Sequence, residues 1–309
     1  MIFLIVGFGN MGCRHAQSLM NIPNSKILVC DPSEENFKIN LKKINADEKR
    51  FIYYNDIDSL PDNIEFAVIA TNSDVRFSIL KKLISKKINK FLLEKVVFQS
   101  ENQFNETISL LEKNGAIALC NFVNRCYPTY LSLKNKIKSK TFKMIVSAAD
   151  IRLGSNALHY IDLFKFLGGD EPFVISSDIY LNKKNNKRRK KYLEFLGNIF
   201  FKNKNGSELI ISAHEDKPYN TEIIISDSQN THLISESLGI HKIFNEKKIL
   251  NKKFKTVFTS NLTEQVYSNL IKGKLILPTV KETKNSHLEF FKIINKKLKK
   301  SNQSKCPIT

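Results

Sequence analysis

Gly7-Phe8-Gly9-Asn10-Met11-Gly12 restricts what this chain can become more than any other stretch. An uninterrupted apolar run, Ile2 to Val6, leads into it. Without polar alternation, such a run predicts a strand buried on both faces of a parallel sheet. An amphipathic segment, Met11 to Met20, follows, and then a second apolar run, Lys26 to Cys30, which closes on Asp31. Strand, G-x-G-x-x-G, helix, strand and an acid about 20 residues beyond the glycines is the order of a dinucleotide site. Each residue type has a chemical reason. Gly7 permits a tight turn, Gly9 lets the backbone approach a pyrophosphate, and Gly12 lets the helix lie close to the strand. The helix start, at Asn10 and Met11, offers unpaired N–H groups and a positive dipole end to phosphate. The plainer alternative is a glycine turn that only packs a βαβ unit.

The chain then keeps alternating. Ser33 to Ile44 predicts a helix capped by Ser33, Phe51 to Tyr54 a strand, Asp56 to Leu60 a short helical turn, and Phe66 to Ala70 a buried strand leading into Thr71-Asn72. A helix over Asp74–Lys86, a strand over Lys90–Leu93 ending in Glu94-Lys95, a helix over Glu101–Lys113 and a strand over Ile117–Cys120 complete a doubly wound parallel sheet. Ligands of such sheets lie at the carboxyl ends of the strands, where Asp31, Thr71, Asn72, Glu94, Lys95 and Asn121 fall. Past Asn121 the pattern changes. A loop, Asn124-Arg125-Cys126-Tyr127-Pro128, opens a helix to about Lys138; a strand over Phe142–Asp150 and a helix over Asn156–Leu167 follow. Strand-like segments at Val174–Leu181, Tyr192–Phe201, Glu208–Ala213, Thr221–Ser226 and Thr231–Glu236 carry no helices between them, and Thr263–Lys272 and Lys284–Lys299 read as closing helices. The expectation is an α/β chain: a Rossmann domain over 1–121, an α+β domain over 122–300 with a large, mainly antiparallel open sheet, and a disordered tail over 301–309.

With 309 residues, 42% hydrophobic and 26% charged, two real cores are possible. No apolar run approaches membrane-spanning length, and the first strand meets Gly7 too early for a signal peptide, so no membrane association is expected. Five cysteines lack paired or metal-type spacing and read as reduced thiols of a cytoplasmic protein. His15, His214, His232, His241 and His287 show no partner pattern, so no metal site is expected. The formal charge of +19 raises nucleic acid as a partner, but the lysines are scattered, with runs only at Lys183–Lys191 and Lys296–Lys300, and no nucleic-acid module accompanies them. Attraction of an anionic cofactor and substrate suffices. Asp31 favours NAD(H), because a carboxylate accepts from a ribose 2′-hydroxyl and repels a 2′-phosphate; Arg14 and Lys26 leave NADP open. The apolar faces of Tyr192–Phe201 and Thr221–Ser226 exceed what one helix layer covers, which predicts a homo-oligomer, most simply a two-fold dimer.

The GFGNMG loop, Ala70-Thr71-Asn72, Glu94-Lys95, Asn124-Arg125-x-x-Pro128 and His159-x-x-Asp162 together resemble the glucose–fructose oxidoreductase and inositol dehydrogenase family, Gfo/Idh/MocA. LLEKVVFQ, VNRCYPTY and GSNALHYIDLF are similar to members associated with cell-surface sugar and nonulosonic-acid clusters. The resemblance implies a nicotinamide-dependent oxidoreductase acting on a sugar or cyclitol. It implies that Lys95 contacts nicotinamide ribose and substrate, and that His159 is the acid/base at the reacting oxygen. Two positions depart from the pattern: Val96 stands where proline is usual, and Ser155 where many members carry aspartate. Chemistry supports the two remaining roles. Hydride transfer from an alcohol needs a base for the hydroxyl proton, and histidine titrates near neutral pH. His159 and Asp162 lie three apart on one helix, and Arg125 suits a carboxylate or phosphate, with a rim salt bridge as the alternative. Asn124, Tyr127 and Asn156 complete the substrate-binding candidates. Rival classes are a non-catalytic nucleotide sensor on the same fold and an NAD-assisted sugar hydrolase or lyase.

Overall fold

The computed structural model describes residues 1–137, 141–148, 152–182, 191–214 and 221–309. The chain clusters into two compact units, Met1–Val123 with Val257–Thr283, and Asn124–Thr256 with Lys284–Thr309.

In the first unit the elements run β1 (Ile2–Val6), α1 (Asn10–Leu19), β2 (Lys26–Cys30), α2 (Glu34–Lys43), β3 (Phe51–Tyr54), β4 (Phe66–Ile69), α3 (Ser73–Ser85), β5 (Lys90–Leu93), α4 (Glu101–Lys113) and β6 (Ile117–Cys120). The strands pair in parallel in the order β3-β2-β1-β4-β5-β6. Their apolar runs are buried on both faces, as in Phe66-Ala67-Val68-Ile69. The helices follow their sequence signals. Ser33 Oγ accepts the Asn36 N–H at the start of α2, Glu34 and Glu35 occupy its first turn, and Lys42 and Lys43 its last. Asp56–Leu60, expected as a short helical turn, forms one hydrogen-bonded turn, the Leu60 N–H donating to the Ile57 carbonyl at 3.2 Å, and goes no further as a helix.

The second unit contributes α5 (Pro128–Ile137), β7 (Lys143–Ala148), α6 (Leu153–Gly168), β8 (Phe173–Leu181), β9 (Phe195–Lys202), β10 (Glu208–Ala213), β11 (Glu222–Ser226), β12 (Thr231–Ser235), β13 (Ile240–Phe244) and β14 (Ile249–Lys253). These form an eight-stranded sheet, β14-β13-β12-β11-β7-β10-β9-β8, antiparallel except for the β7–β10 pair. The fold is thus α/β, a parallel doubly wound sheet followed by a large, mainly antiparallel one. One face of that second sheet is core: Phe201, Leu209, Met144 and Ile225 form a row across β9, β10, β7 and β11, each 0–1% exposed. β13 and β14 lie beyond the segments expected as strands; their lysines mask the alternation that identifies an edge. The last residues of the expected strand 142–150, the helix end near 138 and nearly all of the basic run 183–191 lie outside the described residues.

Two expectations are corrected. Residues 257–283 cluster with the first unit, not with a contiguous second domain over 122–300. The cause is α7 (Thr263–Leu270), whose Tyr267 packs edge-on to Phe3 at 4.8 Å and against Phe66 at 5.5 Å, its hydroxyl donating to Glu65 Oε2 at 2.9 Å. Ser18 Oγ accepts from the Glu264 N–H and caps the same helix. The tail 301–309, expected to be disordered, is ordered against α6. Cys306 and Ile308 are fully buried, the Leu193 N–H donates to the Pro307 carbonyl at 2.8 Å, and Ile308 lies against Gly154. Two apolar side chains near the end of the chain outweigh the entropy that frees most termini. The closing helix α8 (Val280–Lys297) begins four residues earlier than expected.

Candidate active site

The glycine loop is held from the β2 side. The Gly7 N–H donates to the Cys30 carbonyl at 2.9 Å, the Phe8 N–H to Asp31 Oδ2 at 2.7 Å, and Asn40 Nδ2 to the Phe8 carbonyl at 2.7 Å. Asp31 Oδ1 also accepts the Ser33 N–H at 3.0 Å. Each carboxylate oxygen keeps a second acceptor site. Gly7 takes φ +87°, and a Cβ on Gly12 would stand 2.1 Å from the Gly7 carbonyl, so both glycines are enforced by the turn and by helix–strand contact. A Cβ on Gly9 would meet nothing within 4 Å, so its surroundings are open to a ligand. α1 has no side-chain cap and no acid in its first turn, and its N–H groups remain available to an anion. Thr71 Oγ1, at the end of β4, is buried without a hydrogen-bond partner. Open glycine, uncapped helix start, acid at the end of β2 and orphaned hydroxyl fit a dinucleotide. Beside the loop, burial pushes the Cys13 thiol up despite Lys43 and Arg14, which disfavours a thiolate there.

At the end of β5 stands a buried cluster that spacing alone did not disclose. His15, on α1 and 0% exposed, places Nε2 3.0 Å from Glu94 Oε1 and Nδ1 2.8 Å from Thr263 Oγ1. Asn121 Nδ2 donates to the same Glu94 oxygen at 2.6 Å. Burial would push the Glu94 carboxyl up, but His15, the charge of Lys95 and Asn121 outweigh it and hold the group at about 2. Arg76, 1% exposed on α3, locks the backbone around Lys95. Its Nη1 donates to the carbonyls of Glu94, Val96 and Val97, and its Nη2 to that of Thr71. Where the family pattern has proline after the lysine, this chain has valine held by a guanidinium. Lys95 is half-buried between anchored neighbours. Asn72 is the exposed N-cap residue of α3, and Asn10 accepts from Lys43 Nζ at 3.3 Å.

In the second unit His159 lies within α6, half-buried and a turn and a half past its start. Ser155, one turn earlier, donates its hydroxyl to Glu194 Oε1 and its N–H to Oε2 at 3.2 Å. A carboxylate therefore does meet this turn, delivered from the segment before β9 instead of from position 155. The substrate-binding candidates fare differently. Arg125 pairs with Asp162 through both nitrogens, Nε to Oδ2 and Nη2 to Oδ1, each 2.7 Å, and its guanidinium lies 5.3 Å from the Phe166 ring centre. Both ends are largely buried, so the pair braces the start of α5 against α6. Tyr127 is 7% exposed and stacks on Tyr130 at 6.0 Å with Phe254 edge-on at 5.7 Å, which makes it core. Asn124 is buried and Asn156 half-buried. Among the described residues no group of three or more His, Cys, Asp or Glu is placed to hold a metal ion, and no helix is long and apolar enough to cross a membrane.

Residues 1–122 match the model of the Gfo/Idh/MocA family, described as an oxidoreductase family with an NAD-binding Rossmann fold. No curated protein matches the sequence. Among solved structures, a dehydrogenase (MviM) from Clostridium difficile superposes with a TM-score of 0.78 at 14% identity, over 96% of this chain and 99% of that one. UDP-N-acetylglucosamine 3-dehydrogenase GnnA from Acidithiobacillus ferrooxidans gives 0.76 at 12%, over 95% and 96%. An oxidoreductase from Agrobacterium radiobacter, solved with NAD+, L-tartaric acid and magnesium, gives 0.75 at 13%, over 94% of each chain. At these identities the likeness is one of fold.

Proposed function

We propose, from the match of residues 1–122 to the oxidoreductase family with the NAD-binding Rossmann fold, that the chain moves a hydride between NAD and a hydroxyl or carbonyl carbon of a sugar derivative. A nicotinamide dinucleotide is its cofactor and dehydrogenation its class of reaction. The sugar-type substrate is supported by GnnA, a UDP-N-acetylglucosamine dehydrogenase of the same fold. Surface-polysaccharide or nonulosonic-acid biosynthesis is the setting favoured by the sequence resemblance.

The observation that carries the reading is the anchored lysine. Glu94 by its side chain, and Glu94 and Val96 by their carbonyls, are fixed on either side of Lys95, an arrangement that suits a positioned charge at a reacting oxygen. The nicotinamide, when bound, supplies the hydride acceptor or donor. The α1 N–H groups and the open Gly9 receive the pyrophosphate, and Asp31 accepts from the adenosine ribose. Lys95 polarises the reacting oxygen. His159 takes the hydroxyl proton as the carbonyl forms and returns it in reduction. The chain acts as a homodimer.

Cofactor titration by nicotinamide fluorescence tests the binding half. NADH should bind more tightly than NADPH, and Asp31→Ala should narrow the gap. A wild-type preference for NADPH would remove the role given to Asp31. The chemical half is tested by absorbance at the reduced-nicotinamide band with NAD and a panel of nucleotide sugars. A product oxidised at one carbon is expected, whereas cleavage without net oxidation would replace dehydrogenation by lyase or hydrolase chemistry.

A further inference from the structure

We propose that Lys43 is a ligand of the cofactor's pyrophosphate, a side-chain cation that α2 carries to the glycine loop. The inference rests on the dinucleotide reading of that loop.

A G-x-G-x-x-G loop by itself supplies backbone N–H groups and a helix start, but no charged side chain. Here the first helical bond of α1 runs from the Cys13 N–H to the Gly9 carbonyl, so the N–H groups of Asn10, Met11 and Gly12 precede it and have no acceptor inside the helix. One edge of α2 runs along this loop. Phe37, Asn40 and Lys43 succeed one another at intervals of three, which makes them neighbours on the helix surface. The Phe37 ring packs against Phe8 at 5.7 Å, Asn40 Nδ2 donates to the Phe8 carbonyl at 2.7 Å, and Lys43 Nζ donates to Asn10 Oδ1 at 3.3 Å. The first two contacts fix the helix against the loop. The third sets an ammonium one side chain away from the N–H groups at the start of α1.

Lys43 differs from the other lysines of its helix in what it meets. Lys38 pairs with Glu34 at 2.7 Å, one turn back on α2 itself. Lys43 crosses to α1 and meets a neutral amide, a weak partner that occupies one of its three donors and leaves its charge to an anion. Its place along α2 selects the pyrophosphate over a ribose 2′-phosphate. Asp31, the ribose acid, accepts the Ser33 N–H at the beginning of α2, whereas Lys43 stands in the last turn, about 15 Å further along the axis. The ordinary role of such a residue, complementing the C-terminal dipole of the helix, is shared with Lys42 in the same turn. Of the two, Lys43 is the one that bonds to the loop.

Titration of the intact chain by nicotinamide fluorescence, with ADP-ribose and adenosine as competitors, tests the assignment. Both lysines are exposed, so their substitution leaves the core untouched. Lys43→Met should raise the Kd for NADH about tenfold, the scale of one hydrogen bond to a charged group. NADPH and ADP-ribose should lose by the same factor, since both carry the pyrophosphate, and adenosine should be unaffected. Added sodium chloride should weaken NADH binding more steeply in the wild type than in Lys43→Met, because salt screens an exposed ion pair. Lys43→Arg should restore most of the affinity, and Lys42→Met should bind as the wild type does. An unmoved NADH Kd in Lys43→Met overturns the proposal. So does a loss confined to NADPH, which puts the ammonium at the 2′-phosphate, or a loss shared by adenosine, which puts it at the base or sugar. An equal loss in Lys42→Met overturns it too, by reducing both lysines to helix-dipole partners. A wild type that binds neither nucleotide removes the dinucleotide reading, and the inference with it; a wild type that binds while Lys43→Met is unmoved removes the inference alone.

Discussion

His159→Ala removes the only group assigned to carry a proton to or from the reacting oxygen. Loss of such a group typically costs about 10²–10⁴ in rate. With the true substrate, kcat should fall by that order while NADH affinity holds, because the cofactor contacts lie on other residues. Near-wild-type turnover of His159→Ala would end its assignment. Ser155→Asp, which restores the family's aspartate, should not raise kcat. Glu194 already places a carboxylate on Ser155, so a second one meets like charge. Only Ser155→Asp combined with Glu194→Gln can show whether position 155 itself matters. These pairings explain how the site divides between what was legible and what was not. Gly7, Gly9, Gly12 and Asp31 sit at short, fixed spacings that the backbone chemistry dictates. His15 meets Glu94 across 79 residues, Arg76 reaches the Glu94 and Val96 carbonyls across 18 and 20, and Ser155 meets Glu194 across 39. No periodicity encodes such distances. A hint existed in α1: three residues after Gly12, position 15 falls on the same inward face of the helix. Arg125 and Asp162 show the converse, since two residues apt for a substrate satisfy each other.

Among the elements, β12 and β13 carry a second buried titrating pair. His232 Nδ1 and His241 Nε2 lie 3.0 Å apart on the covered face of the sheet, beside Ile234 and Ile243. Burial lowers both rings, and for His241 the neighbouring His232, Lys252 and Lys136 help to bring it to about 4. The native pair shares one hydrogen bond between neutral rings; the unfolded chain takes up protons near 6.5. Between those values the unfolded state binds more protons, so stability is full above about 6.5 and drains as pH falls towards 4. Melting followed by circular dichroism from pH 7.5 to 4 should show a shallower loss of Tm in His241→Gln than in the wild type. Parallel slopes would clear the pair of any part in acid sensitivity. The strands of both sheets were legible because apolar runs and alternation are local signals. The return of 257–283 to the first unit was not, because it depends on where Tyr267 finds Phe3 and Phe66. The same holds for the tail, whose Ile308 has meaning only against Gly154.

At the scale of the whole molecule, the unanswered demand is the second face of the eight-stranded sheet. One residue out of step with the buried row, the register aligns Phe200, Ile210, Ile145, Ile224 and Leu233 across β9, β10, β7, β11 and β12. All five are half-buried or exposed, Phe200 reaching 37%. Polar rows border this stripe. Lys202, Glu208, Lys143 and Ser226 lie on one side, with Lys143 and Glu208 ion-paired at 3.0 Å, and Asn198, Ser212, Ser147 and Glu222 on the other. An apolar centre with a charged rim is the anatomy of a protein interface, and a repeated row facing its own two-fold copy is self-complementary. The closely opposed pair Ile145 and Ile224 sits at the middle of the stripe, where burial against a partner counts most. Light scattering at micromolar concentration should give twice the chain mass. Ile224→Lys places a charge at the centre of the interface, where no partner charge awaits it, and should yield a monomer whose own Tm is little changed, since position 224 faces away from the core. A monomeric wild type, or a dimer that survives Ile224→Lys, would mean that this face is solvated and the copies meet elsewhere if they meet at all.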